Sequence, residues 1–356
     1  MPAPAIPIDL LVEPGWIIPI EPAGLVLENH ALAVDNGRIV ALLPAADARR
    51  TYSPREHVDL PGQVLMPGLV NLHTHAAMAL LRGYADDLPL MRWLNERIWP
   101  AERKFVSPDF VRDGTRLAAW EMLRGGITCF NDMYFFPGAA AEAARDAGIR
   151  AMLGVTVLEF PSSYAADAED YLAKGLAVRD AWRDDPLVSF ALAPHAPYTV
   201  GDLVFERVAT LSAQLDMAIH IHLHETRDEI AESIRQHGVR PLERLHRLGL
   251  LGPNLIAVHA VHMNPQEIDL LARHGCNVAH CPTSNMKLAS GIAPLTSMLD
   301  AGLSVGLGTD GAASNNRLDI LREARQAALL AKVASNDAVV APARAADGAD
   351  RTRRPR

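Results

Sequence analysis

The sequence predicts an α/β fold, a (β/α)8 barrel of the TIM type carrying a small β-sandwich module, and three observations carry that prediction. From Gly68 onward, short apolar runs alternate with longer helical patterns, as parallel βα units require. The short runs number eight, the count that closes a barrel. Residues 1–66 have a different texture, rich in short β signals and tight turns.

In the leading module, Asn36-Gly37 stands between the apolar runs of "LVLENHALAVDNGRIVALL" and reads as a hairpin turn, so the module is expected to be antiparallel. The barrel strands are expected in "LVNLHTH", "GITCFNDMY", "RAMLGVTVLE", "VSFALAPHAPY", "AIHIHLHE", "LIAVHAVH", "CNVAHCP" and "LSVGLGTDG". Helices fill the gaps. In "SPDFVRDGTRLAAWEMLRGG", Ser107-Pro108 supplies an N-cap and a first-turn proline, and Gly125-Gly126 a stop. No glycine-rich phosphate turn follows an early strand, which favours the barrel over a doubly wound sheet. The division is residues 1–66 for the module and 67–333 for the barrel. Residues 334–356, rich in Ala, Arg, Asp and Pro without apolar periodicity, read as a disordered tail.

With 356 residues, 49% of them hydrophobic, the chain can fill a sizeable core. A net charge of -8 leaves no basic stripe for phosphate neutralisation, so nucleic acid is set aside in favour of a small-molecule partner. No basic leader with an apolar run opens the sequence and no stretch is suited to spanning a bilayer, which points to a cytoplasmic protein without a membrane partner. Homo-oligomer formation stays open. Cys129, Cys276 and Cys281 form no paired framework and read as reduced, buried thiols.

Chemistry in a barrel sits at the C-terminal ends of its strands. In "LMPGLVNLHTHAAM" the first strand ends on His73 and His75, and strand alternation points both to one face. The fourth run ends on His195, the fifth on His222 and Glu225, the sixth on His259, the seventh on His280 and the eighth on Asp310. Taken singly, a strand-end histidine is more often a hydrogen-bonded structural group. Together they would bury many titratable groups around one mouth, each unsatisfied one costing roughly 1 to 3 kcal/mol. A cation answers that cost. Three imidazoles and a carboxylate suit zinc or a similar metal, with one position left for water.

The motifs "PGLVNLHTH", "IHLHET", "AVHAVH", "SNMKLASGIAP" and "GLGTDGAASNN" resemble the amidohydrolase superfamily, and within it the 5'-methylthioadenosine/S-adenosylhomocysteine deaminase group, also labelled TRZ/ATZ hydrolases. The likeness runs from about Leu60 to Lys332. It implies metal ligands at His73, His75, His222 and Asp310, a proton-shuttling Glu225, and His259 orienting the attacking water. It also implies substrate contacts from His195 and Trp93. The implied reaction is metal-dependent hydrolytic deamination of a 6-aminopurine nucleoside: 5'-methylthioadenosine, S-adenosylhomocysteine or adenosine. Water attacks C6, Asp310 takes its proton, Glu225 protonates N1, and ammonia leaves. His280 is expected to stand behind the metal ligands, whereas His30, His224, His246 and His262 are expected to be structural or surface groups.

Binuclear members bridge two metals with a carboxylated lysine on the fourth strand, but the lysines here are Lys104, Lys174, Lys287 and Lys332, none at that strand's end. One zinc-like ion per subunit is therefore expected. The group's ribose-binding glutamate and arginine fall on Met91 and Val155, with Arg92 or Glu96 available as substitutes. A deaminase or dechlorinase of a nucleobase, pterin or s-triazine is the alternative reading, and an inactive truncated barrel the second. The group's chain continues beyond the point reached here and returns strands to the β module, so the module is expected to be incomplete, exposing Leu25, Val26, Leu27, Ile39 and Val40.

Overall fold

A computed structural model describes residues 4–341, which divide into two compact units, one ending at Pro67 and the other beginning at Gly68. The expected disordered tail falls largely on residues 342–356, outside the described residues. Residues 334 and 335 instead complete a helix, Ile320–Ser335.

The first unit is one five-stranded sheet built from β1 (Ile6–Ile17), β2 (Leu27–Glu28), β3 (His30–Asp35), β4 (Arg38–Pro44) and β5 (Tyr52–Leu65). Asn36 and Gly37, at φ 49° and 70°, form the tight turn between β3 and β4, opposing Asp35 to Arg38. Left-handed angles at both positions match the twist of the flanking strands. The antiparallel expectation fails at β5, which runs parallel to β1 with Leu11 opposite His57. A parallel neighbour needs a crossover. Here the helix Ala45–Thr51 supplies it, burying Ala48 against Ile8, Leu11, Ala31 and Ala33. Of the apolar residues expected at the surface, Val26, Ile39 and Val40 are exposed, while Leu25 and Leu27 are half-buried.

The second unit is an eight-stranded parallel sheet in sequence order: β6 (Leu69–Thr74), β7 (Ile127–Asp132), β8 (Arg150–Val157), β9 (Val188–Pro194), β10 (Ile219–Leu223), β11 (Leu255–His259), β12 (Asn277–His280) and β13 (Ser304–Leu307). Every expected run contains its strand. β10 is buried throughout although it alternates isoleucine with His220 and His222, as a parallel strand covered on both faces must be. Among the described residues no ladder joins β13 to β6. Side chains bridge that seam: Asn71 Nδ2 donates to Thr309 Oγ1 at 2.8 Å, and Thr309 N donates to Asn71 Oδ1 at 3.0 Å.

The helix Pro108–Arg124 follows its sequence signals, with the Ser107 hydroxyl accepting from Phe110 N and Gly126 at φ 80° closing the end. Its buried residues, among them Val111, Thr115, Ala118, Ala119 and Met122, lie three and four apart and make one face. No described helix is long and apolar enough to cross a membrane. The three cysteines are free thiols, Cys276 and Cys281 buried and Cys129 half-buried.

Candidate active site

Strand alternation brings His73 and His75 to the end of β6 with ring centroids 4.8 Å apart. The turn beyond them is braced by Asp132, whose Oδ1 accepts from Thr74 Oγ1 at 2.9 Å and Ala76 N at 2.6 Å. His222 projects from β10 and His259 ends β11. Asp310 lies three residues past the end of β13 in a left-handed conformation, φ 62°, that turns its carboxylate back towards the histidines.

The imidazoles are oriented by what their Nδ1 atoms meet. His75 Nδ1 donates to the Met133 carbonyl at 2.5 Å, His222 Nδ1 to the His195 carbonyl at 2.8 Å, and His259 Nδ1 to Asn285 Oδ1 at 2.9 Å. A neutral ring whose proton sits on Nδ1 presents a bare lone pair at Nε2. His73 Nδ1 stands 3.0 Å from His220 Nε2, another imidazole, whose own Nδ1 is buried without a partner. Because His73 Nε2 faces His222 Nε2 and the Asp310 carboxylate, a ligating His73 carries its proton on Nδ1 and donates it to His220 Nε2.

The Nε2 atoms converge. Those of His73 and His222 face each other at 3.2 Å, and Asp310 Oδ1 lies 3.3 Å from His73 Nε2 and 3.2 Å from His75 Nε2. Lone pairs pointed at one another repel unless a cation lies between them, so this donor set fits a divalent metal of the zinc type. Burial holds His73 at a pKa of about 4 despite the raising influence of Asp310, and holds His222 well below the usual imidazole range. Neutral rings are the form that ligates. Burial alone would raise the Asp310 carboxyl, but its contact with His73 and the proximity of His75 and His259 hold it well below the usual carboxylate range. Its oxygens also accept from Ser284 Oγ at 2.6 Å, Ser314 Oγ at 2.8 Å and Gly311 N at 2.8 Å.

Glu225 has the opposite electrostatics. Burial, reinforced by the Asp310 charge, pushes its pKa up to about 8, and its Oε2 lies 3.7 Å from His259 Nε2. An ionised carboxylate and a protonated one thus face a common cavity, the usual signature of a divided base and acid. His195, with Nδ1 3.0 Å from Thr199 Oγ1, lines that cavity too. Trp93 does so as well, its indole fixed by an Nε1 bond to the Ala85 carbonyl at 2.9 Å. Leu90, Leu94, Ile98 and Leu158 supply much of the apolar wall.

His280 is buried, does not line the cavity, and its Nδ1 has no partner. Arg92 and Glu96 do not serve as substitutes for the ribose-binding pair. They sit on adjacent turns of an exposed helical face, bonded to each other at 2.8 Å, and neither lines the cavity. Met91 is surface-exposed and Val155 belongs to the core. Sequence reasoning also passed over Glu102, a cavity-lining carboxyl on the helix Trp99–Phe105 that burial pushes up to about 7. Nothing in a strand-end search could reveal it. His220 was legible in principle, since it alternates with His222 in "IHIHLHE" and shares its face.

Residues 64–349 match the family model described as the amidohydrolase family. A 5-methylthioadenosine/S-adenosylhomocysteine deaminase of Saccharophagus degradans is 48% identical over 92% of this chain and 73% of its own. The crystal structure of an adenosine deaminase from Xanthomonas campestris with bound zinc superposes with a TM-score of 0.94 at 52% identity, covering 97% of this chain and 80% of that one. An atrazine chlorohydrolase of Arthrobacter aurescens complexed with zinc gives 0.84 at 26% identity, covering 92% and 77%.

Proposed function

The chain belongs to the amidohydrolase family, and from that premise we propose that it hydrolytically deaminates a 6-aminopurine nucleoside, with 5'-methylthioadenosine, S-adenosylhomocysteine and adenosine as the candidate substrates. The observation that carries this reading is that the Glu225 and Asp310 carboxyls line one cavity beside the converging histidine Nε2 atoms, where burial favours the protonated form of Glu225 and the neighbouring histidines the ionised form of Asp310. Hydrolysis at C6 of an aminopurine needs both forms at once. Water adds to C6 as Asp310 accepts its proton, and Glu225 delivers a proton to N1, which removes the ring's aromatic resistance to addition. Asp310 then passes the proton it took to the exocyclic nitrogen and the C6 hydroxyl returns one to Glu225, so the C6–N bond breaks, releasing ammonia and leaving a 6-oxopurine with both carboxyls restored.

His73, His75, His222 and Asp310 would hold one zinc-like ion, which supplies water activation at neutral pH. None of the four lysines, Lys104, Lys174, Lys287 and Lys332, lines the cavity, which supports a single metal over a lysine-bridged pair. His259, tied to Asn285, orients the water on the side facing Glu225. His195 contacts the purine, and Trp93 packs on it.

The test is ammonia release across a panel of 6-aminopurine nucleosides, free nucleobases, pterins and s-triazines. Turnover of the nucleosides at a kcat/KM at least about tenfold above the rest is expected. Preference for a triazine or pterin would move the chain to the alternative chemistry of the same site.

A further inference from the structure

We propose that Glu229 is a positioning residue that aims Glu225 into the cavity. This rests on the reading of Glu225 as the proton donor. Along β10, alternation places His220, His222 and His224 on one side and would turn Glu225 away from it. The structure reverses the last step: Glu225 lines the cavity with His222, and His224 does not. The reversal occurs at His224, whose φ of 56° lies in the left-handed region that side chains other than glycine adopt only at a cost.

Glu229 holds that turn. Its Oε1 accepts from His224 N and its Oε2 from Glu225 N, both at 2.8 Å, while its own amide donates to Thr226 Oγ1 at 3.2 Å. A glutamate at the third position of a helix commonly reaches back to the amide of the N-cap residue. Here the N-cap is Thr226, and the carboxylate goes past it to the two residues before. The side chain is 5% exposed, so water does not compete for these bonds. The His224 ring is committed on the other side, its Nε2 accepting from Leu242 N at 3.0 Å. Two backbone amides in succession need two acceptor oxygens, which a carboxylate offers and a carboxamide does not.

The experiment is a double-mutant cycle on the metal-loaded enzyme with Glu229→Gln, Glu225→Gln and the pair, following kcat, KM and bound metal. Glu229→Gln is expected to lower kcat by roughly 10- to 100-fold, with KM and metal content unchanged. In the Glu225→Gln background the same change is expected to alter kcat by less than about twofold, because its effect runs through Glu225. An equal loss in both backgrounds, an unchanged kcat, or a loss of metal would overturn the proposal. Should Glu229→Gln fail to fold, hydrogen exchange at the His224 and Glu225 amides of the unsubstituted enzyme decides: protection supports the clasp, and free exchange overturns it. Full activity in Glu225→Gln alone would instead refute the role given to Glu225, an outcome separable from an additive cycle.

Discussion

The backbone amide of Asp310 donates to the carbonyl of His73 at 2.9 Å, while the Asp310 carboxylate lies 3.3 Å from the imidazole of the same residue. These two residues close the barrel at the seam between its first and last strands, so one contact serves both the sheet and the site. A change to either side chain would bear on the proposed metal site first, because the backbone bond survives it.

Folded protein is expected to carry close to one zinc-like ion per chain by elemental analysis. His73→Ala and Asp310→Ala should each lose it. A stoichiometry near two, or metal retained in both variants, would refute the single site.

Glu225→Gln should keep the metal and lose turnover by a factor on the order of 10² to 10⁴. The same residue sets a pH limit. As the proposed acid Glu225 would act while protonated, and burial pushes its pKa up to about 8, so kcat/KM should hold up to that pH and then fall about tenfold per unit as the carboxyl ionises. A flat profile to well above pH 9 would exclude it as the acid.

The pairing of His73 with His220 would make the proposed metal site depend on a residue outside its ligand set. His220→Phe removes the acceptor and should weaken zinc affinity about 10- to 100-fold, measured by chelator competition. His220→Gln, which keeps a carbonyl acceptor, should lose less. Equal affinities in all three proteins would show that His73 is oriented by packing alone.

Burial raises the Glu102 carboxyl from 4.5 to about 7, partly opposed by Tyr134, so the folded chain holds that proton more tightly than the unfolded chain does. Its contribution to stability is complete below about pH 4.5, declines as pH rises, and is lost above about pH 7. Glu102→Gln cannot ionise and should be relatively more stable than the parent at pH 8 than at pH 4.5, by up to about 3 kcal/mol. Thermal midpoints at the two pH values check this. Parallel shifts would mean that Glu102 finds a compensating charge.

Short-range chemistry is legible in the residues themselves. The Ser107-Pro108 start, the Asn36-Gly37 turn and the eight apolar runs are local signals, and each appears where the sequence places it. The histidines of "LHTH" and "IHLH" are legible for the same reason, since strand alternation is a property of the backbone itself.

Period and turn chemistry act over a few residues, and they suffice for the barrel, the order of its strands and the residue types gathered at its mouth. The remaining features depend on contacts between segments far apart in the chain. Only the fold shows that β5 pairs parallel to β1, that Arg92 and Glu96 bond to each other outside the cavity, and that Glu102 lines it. Only the fold shows which ring nitrogens are free, because Met133, His195, Asn285 and His220 reach them from other parts of the chain. The turn at His224 follows the same logic. Its left-handed backbone opposes the local preference of the residue, and contacts from Glu229 and Leu242 hold it against that preference.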